Sequence, residues 1–186
     1  MRRRDFVKAI AGSATVWPLT ARAQQSERIR RIGVLMSSAE TDVWGQRSVA
    51  TFLEALEQIG WLQGRNLQIE YRWGRADHDR IQRQATELVE LNPDAILGQA
   101  TPAISALKRA TRTIPIVFVN VSDPIGSGFI ESLTRPTGNI TGFSNFEPAM
   151  GGKWVELLKE IAPGLQRIAL MSNPETSPQA KAGIDL

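Results

Sequence analysis

Residues 113–132 read TIPIVFVNVSDPIGSGFIES, and this stretch decides the fold class. The segment Ile114–Val121 is rich in β-branched apolar residues and is too short to span a membrane. Such a run is typical of a strand buried on both faces, as in a parallel sheet between helix layers. A polar loop containing Asp123-Pro124 and Gly126 follows, and the apolar residues around Phe129–Leu133 predict a short helix. The stretch therefore predicts one strand, loop and helix unit of a parallel α/β sheet.

The same alternation of strand and helix patterns continues on both sides of this unit. Further strands are predicted at Arg31–Met36, Asn66–Trp73, Ala95–Gly98, Asn139–Phe143 and Arg167–Met171. Helices are predicted at Val43–Ile59, Asp77–Leu91, Thr101–Thr111 and Met150–Ile161. In the third helix, Thr101 is the expected N-cap and Pro102 the first helical residue. Repeated βα units indicate a doubly wound, mainly parallel sheet of the Rossmann-like α/β class.

The N-terminus has the pattern of an export signal. Residues 3–8, RRDFVK, resemble the twin-arginine export motif, with Arg3 and Arg4 paired and with Phe6 and Lys8 at the apolar and basic positions. A weakly apolar segment follows, and residues Ala21 and Ala23 fit a small-x-small cleavage site. We therefore expect residues 1–23 to be a signal peptide that is recognised by the twin-arginine export machinery and cleaved after Ala23. The expected location is the periplasm; the alternative is a basic amphipathic helix of a cytoplasmic protein.

Charge and composition exclude several classes of function. The net charge is +3, but the first 23 residues carry +4, which leaves −1 for the remainder. The mature chain is thus nearly neutral, which argues against nucleic acid as a partner. The chain has no cysteine, which excludes disulfides, thiolate metal sites and cysteine catalysis. We expect neither a metal nor a cofactor.

Catalytic patterns are incomplete. His78 is the only histidine and lies between two aspartates at a predicted helix start, where a solvated surface role is expected. The segment Gly142–Phe146 resembles half of a nucleophile elbow around Ser144, but it lacks the closing glycine and no histidine follows it. The sequence thus favours binding over catalysis. An exported α/β hydrolase and a ligand-sensing input domain remain as alternatives.

Polar residues follow several of the predicted strands. Ser37-Ser38, Gln99–Thr101, Ser122-Asp123 and Ser172-Asn173 each lie between an apolar strand and a helix or helix start. Because parallel strands end at a common edge, these groups are expected to gather there. Hydroxyls, amides and helix N-termini can bind a carboxylate, and Asp123 can accept from an ammonium group. The alternative is that these residues only cap helices and turns.

Six segments together resemble the ABC transporter substrate-binding family, whose characterised relatives bind tryptophan or other aromatic amino acids. They are RIGVLMSSAE (31–40), LQIEYRW (67–73), AILGQATPAISAL (95–107), PIVFVNVSDPIGSGFIESL (115–133), GNITGFSNFEPAMGGKWVELLKEIAP (138–163) and RIALMSNP (167–174). The resemblance implies the type I periplasmic binding protein fold, in which two α/β lobes joined by chain crossings trap a ligand between them. Family members are longer, so we expect residues 24–142 to form the N-terminal lobe. Residues 143–186 would be a crossing and the start of a second lobe that is largely missing.

The resemblance also implies a set of partners and binding residues. The partners would be a small-molecule ligand, expected to be an amino acid of the aromatic type, and the membrane permease of an ABC importer. A small carboxylate, a nucleoside or a sugar stays open as the ligand. Trp44 lies just after the first loop and is a candidate for stacking. The full set of candidate ligand-binding residues is Ser37, Ser38, Trp44, Thr101, Pro102, Ser122, Asp123 and Asn173.

Overall fold

Strands and helices alternate along the chain, as the sequence predicts, except that no helix separates the fourth and fifth strands. The structure is a computed structural model that describes residues 28–145, 150–169 and 171. Its strands are β1 Arg30–Met36, β2 Leu67–Trp73, β3 Ala95–Gln99, β4 Ile116–Val121 and β5 Ile140–Ser144. Its helices are α1 Val43–Gln58, α2 His78–Glu90, α3 Ala100–Ala110 and α4 Met150–Ile161. Residues 1–23 and Asn173 lie outside the described residues.

All neighbouring strands in the sheet run parallel. The order of the five strands is β2-β1-β3-β4-β5, so the chain moves outward from β1 to β2 and then returns past β1 to the other side. This reversal defines a doubly wound α/β sheet, and the predicted fold class is confirmed. β2 is an edge strand, as its alternating sequence indicates.

Two apolar layers cover the faces of this sheet. Val34 and Leu35 are adjacent in β1 but point to opposite faces, as the pleat of a strand requires. On the Val34 face, α1 packs through Phe52 and Leu56. On the Leu35 face, α2 and α3 supply the main core, whose fully buried members include Ile81, Leu88, Ile104, Leu107, Ile116 and Phe118. Because both faces are covered, the carboxyl-terminal edge of the strands is where polar groups can collect.

Two helices begin at aspartate caps. Asp42 Oδ1 accepts from the Gly45 N–H at 2.7 Å, and Asp77 Oδ1 accepts from the Arg80 N–H at 2.9 Å. The expected start of α3 was wrong: the helix begins at Ala100 and its N-cap is Gln99, which has no side-chain capping bond. Ala100 has a φ of +68°, so the chain turns out of β3 before reaching Thr101. Thr101 is therefore inside the helix and is buried.

The connection between β4 and β5 contains turns where the sequence predicts a helix at 129–133. The Ser127 N–H donates to the Asp123 carbonyl at 3.0 Å, and the Phe129 N–H donates to the Pro124 carbonyl at 2.8 Å. Gly128 adopts a φ of +68°, a left-handed backbone conformation that ends this turn just before Phe129. The adjacent residues Phe129 and Ile130 are both buried in the core. The apolar pattern thus reflects burial of a turn rather than the face of a helix.

The segment after β5 has less contact with the core. α4 has the predicted bounds but no buried residue, and its apolar residues Leu157, Leu158 and Ile161 are exposed. The predicted strand at 167–171 is wrong for Arg167–Ala169, which have no regular structure. A strand needs a hydrogen-bonded neighbour, and no described residue pairs with them. The predicted lobe boundary at 142 falls within β5, and this division stays a prediction.

Across the described ranges, none of the helices has the length and apolar character needed to cross a membrane.

Candidate ligand-binding site

The ends of β1 and β3 are joined by side-chain hydrogen bonds. Met36 and Gln99 are paired at the last position of the two strands. The Ser37 hydroxyl donates to the Gln99 carbonyl at 2.9 Å, and the Ser37 N–H donates to Gln99 Oε1 at 3.2 Å. The structure therefore brings Ser37 beside the start of α3. The positive end of the α3 dipole lies at the same place, which favours a negatively charged ligand group.

Residues of α3 complete this part of the edge. Thr101 is buried and Pro102 is half-buried, within the first turn of the helix. Ala100 has a left-handed backbone conformation, which is uncommon for a residue with a Cβ. Strained backbone of this kind is concentrated at binding sites, and here it sets the direction in which α3 leaves the strand.

The first loop packs against the end of β2. The Arg75 N–H donates to the Ser38 carbonyl at 3.0 Å, and the Ala76 N–H donates to the Ser37 carbonyl at 2.7 Å. A Cβ on Gly45 would lie 2.7 Å from Ser38 Oγ and 2.9 Å from Trp73 Cζ3. The first turn of α1 is therefore in close contact with Ser38. The Ser38 hydroxyl is buried and has no hydrogen-bond partner among the described residues.

The indole of Trp44 is exposed, whereas the hydroxyl of Tyr71 is buried. Trp44 is in the first turn of α1 and 79% of its surface is exposed. It can therefore contact a ligand without rearrangement of the core. Burial raises the pKa of Tyr71, whose hydroxyl has no partner in the described part of the chain. The Tyr71 phenol therefore keeps its proton to a higher pH than an exposed tyrosine does.

A second polar group lies at the ends of β4 and β5. The Ser144 hydroxyl donates to the carbonyls of Val121 and Ser122, at 3.0 and 3.3 Å. The Asn145 side-chain amide donates to Asn120 Oδ1. Asn120 has a φ of +57° at a register shift between the two strands. Since the Ser144 hydroxyl bonds to backbone carbonyls, the geometry does not favour its use as a nucleophile.

Asp123 shapes the turn that follows β4. Its Oδ1 accepts from the Gly126 N–H at 2.8 Å, and a Cβ on Gly126 would lie 2.0 Å from its Oδ2. The turn-forming role considered from the sequence is therefore present, and the ligand-binding role of Ser122 and Asp123 stays a prediction. Both residues are half-buried.

Sequence reasoning missed some of the polar groups that the structure places at this edge. The sequence placed Gln99 among the polar strand ends but not in the final set of binding residues, and the Asn120–Asn145 pair was not among the predicted binding residues. Their signal was the same as that of the predicted residues, namely polar side chains at the carboxyl ends of apolar strands. Over residues 28–145, 150–169 and 171, no three acidic or histidine side chains are grouped as metal ligands would be.

The chain is similar in sequence to known proteins. The sequence model of the ABC transporter substrate binding protein family matches residues 32–183. A tyrosine-binding protein of Clostridioides difficile (strain R20291) is 33% identical over 122 residues, which are 66% of this chain and 35% of that protein.

Two solved structures are also similar. A conserved domain protein from Vibrio cholerae shares 32% identity with a TM-score of 0.73, covering 83% of this chain and 51% of that chain. The ABC domain from Streptococcus pneumonia, solved in complex with L-Trp, shares 27% identity with a TM-score of 0.69, covering 82% of this chain and 50% of that chain. This chain therefore spans about half the length of these solved structures and about a third of the tyrosine-binding protein.

Proposed function

This chain belongs to the ABC transporter substrate-binding protein family. We propose that its strand-end site, formed by Ser37, Gln99 and Thr101 at the ends of β1 and β3, is one wall of a cleft that binds an aromatic amino acid. The observation that carries the proposal is the link between Ser37 and Gln99, which fixes a hydroxyl and an amide beside the N-terminus of α3. The choice of ligand is supported by two relatives, one called a tyrosine-binding protein and one solved with L-Trp.

Each part of such a ligand has a complementary group on this wall. The carboxylate would lie near Ser37 and Thr101, where the Thr101 hydroxyl and the positive end of α3 favour negative charge. The ammonium group would be near Asp123, and the aromatic ring would stack on the exposed Trp44. Asn173 is proposed to contribute from the segment 143–186, which we expect to include the start of a second lobe.

We further propose that the protein is exported through the twin-arginine pathway and acts in the periplasm without catalysis. Binding would favour a closed arrangement that the permease of an ABC importer recognises. This part of the proposal is supported by the motif at Arg3 and Arg4 and by the family. Sequencing the N-terminus of exported protein tests it: a start at Gln24 is expected, and a start at Met1 would contradict it.

The binding proposal is tested by thermal unfolding with tyrosine, tryptophan and phenylalanine, with a sugar as the negative ligand. A ligand that binds only the folded state raises the midpoint of unfolding. We expect the aromatic amino acids to raise it and the sugar to leave it unchanged. A cooperative transition that none of the amino acids shifts would overturn the proposal.

Variants at two positions then assign the contacts. Trp44→Ala is expected to reduce the shift caused by tryptophan, and Trp61→Ala, outside the site, serves as its control. At Asp123, alanine removes both the charge and the turn bond to Gly126, whereas asparagine keeps an acceptor for that bond. If Asp123 binds the ammonium group, Asp123→Asn loses ligand affinity but keeps the stability of the unliganded protein. Unchanged affinity in Asp123→Asn would remove Asp123 from the site.

A further inference from the structure

A cavity of about 600 Å³ lies between α3 and the turns that connect β4 to β5. Its lining includes Arg112, which follows α3, and Asn139 and Ile140 at the amino-terminal end of β5. Ser37 and Thr101 lie instead at the carboxyl ends of the strands. The cavity is therefore separate from the strand-end site, and its volume is within the range of small-molecule pockets.

Two cationic side chains line this cavity. The Lys108 ammonium donates to the Gly128 carbonyl, which joins α3 to the turns and leaves further N–H donors on the ammonium group. Arg112 is exposed and forms no ion pair or side-chain hydrogen bond with any described residue. Its guanidinium group can therefore pair with a carboxylate in two-point geometry without breaking an existing contact.

The rest of the lining limits the kind of anion. Phe129, Ile130 and Ile140 are buried core residues that form an apolar wall, and Ile125 is half-exposed at 48%. Glu131 is the one carboxylate among the lining residues, so the lining has a net charge of +1. A singly charged ligand neutralises this charge, whereas a more highly charged anion would leave an excess.

We propose that this cavity binds a singly charged organic acid with an apolar body, with Arg112 as its main partner. The carboxylate pairs with Arg112 at the polar side, and the apolar body covers the wall formed by Ile125 and Phe129. This site is independent of the proposed amino-acid site.

Titration with phenylacetate, followed by ¹H–¹⁵N correlation NMR of the full chain, tests the proposal. Gly128 and Gly138 line the cavity, and their amide signals report on it directly. Phenylacetate is expected to shift both signals saturably, and the neutral analogue phenylacetamide is expected to bind about tenfold more weakly, a change of about 1.4 kcal/mol. Equal binding of the two compounds at these signals would overturn the proposal.

Three variants locate the interaction. Arg112→Gln is expected to weaken binding of phenylacetate about tenfold, because the charged partner is lost. Ile125→Asp is expected to abolish it, because a second carboxylate then faces the ligand. Arg109→Gln is the matched control, since Arg109 lies in the last turn of α3, close to Arg112 in the chain, but donates to Gln82 at 2.8 Å outside the cavity. Unchanged affinity in Arg112→Gln, with an otherwise unchanged spectrum, would contradict the assignment.

The same titration separates the two sites. Shifts confined to Gly74 and Gly98, near the strand-end site, would mean that phenylacetate binds there as an amino-acid analogue. That result would overturn the cavity proposal and leave the proposed function standing. Absence of tyrosine binding, together with phenylacetate shifts at Gly128, would overturn the proposed function and leave the cavity proposal standing.

Discussion

The Ser37 hydroxyl donates to the backbone carbonyl of Gln99 at 2.9 Å, across the end of two adjacent parallel strands. The side-chain oxygen of Gln99 also accepts a hydrogen bond from the Ser37 N–H. The two residues are 62 positions apart in the chain, so the contact exists only in the folded sheet. It fixes the first loop relative to α3 at the edge proposed to hold the ligand.

Ser37→Ala removes the hydroxyl bond of this link but keeps the backbone N–H bond to Gln99, and it is expected to lower the free energy of unfolding by about 1 kcal/mol. It should also weaken binding of aromatic amino acids, because the hydroxyl and the position of the loop are lost together. Urea unfolding and calorimetric titration measure the two effects. Ser48→Ala is the control, since its hydroxyl bonds only within exposed α1. Equal effects of both variants would contradict a special role for Ser37.

Gly45→Ala is expected to destabilise the protein by about 1–3 kcal/mol, because the added methyl group would overlap Ser38 Oγ and Trp73. Gly152→Ala in α4 is the matched control. No atom lies within 4 Å of a Cβ at Gly152, so this substitution should stabilise its helix by about 0.5–1 kcal/mol. Urea unfolding measures the change in the free energy of unfolding for both variants. If both changes have the same sign, the result would argue against close packing at Gly45.

Ala100→Gly tests the strain at the start of α3. A left-handed residue with a Cβ costs about 1–2 kcal/mol, and glycine removes this cost while adding about 0.5–1 kcal/mol of unfolded-state entropy. The free energy of unfolding is therefore expected to stay constant or rise slightly. Ala110→Gly, at the other end of α3, is expected to lower it. If Ala100→Gly lowered the free energy of unfolding as much as Ala110→Gly, no strain would be relieved at Ala100.

Asp94 makes stability depend on pH at acidic values. Hydrogen bonds from the Arg31 N–H, at 2.9 Å, and from the Arg30 guanidinium, at 2.8 Å, lower the pKa of the Asp94 carboxyl below its ordinary value of 3.8. The folded state therefore holds this proton less tightly than the unfolded state. The resulting stabilisation is present above the ordinary pKa and is lost as the pH falls through the folded-state pKa.

The Asp94→Asn substitution should thus destabilise the protein most near neutral pH, and its difference from the parent chain should shrink toward about pH 2. Urea unfolding across this range measures the difference. Glu54→Gln, at an exposed position of α1, is the control for the loss of one negative charge. A difference between Asp94→Asn and the parent chain that stays constant with pH would rule out this linkage.

Local patterns predicted most of the fold. The periodic apolar residues of α1, α2 and α4 gave helix bounds within one residue of those observed, because one face of a helix must recur at a fixed spacing. The apolar runs likewise predicted the five strands. The pattern was misleading at Phe129 and Ile130, where both side chains are buried by a turn. It was also misleading at Arg167–Ala169, where an apolar run has no neighbouring strand among the described residues.

The candidate site was only partly predictable for a related reason. Hydroxyl residues at strand ends could be read from the sequence, but their partners depend on which strands are adjacent. The bond between Asn145 and Asn120 requires both the pairing of β4 with β5 and the register shift beside Asn120. Neither is encoded in a local pattern.

The order of the strands has a consequence for how the lobe opens. β3 has a hydrogen-bonded neighbour on both sides, whereas β2 and β5 each have one. The amide groups of β3 are shared between these two neighbours, so exchange along the whole strand requires both ladders to separate, which is close to global unfolding. Gln99 ends this strand and holds Ser37. The wall proposed to contact the ligand is thus anchored at the centre of the sheet, and we expect a bound ligand to slow amide exchange in β3.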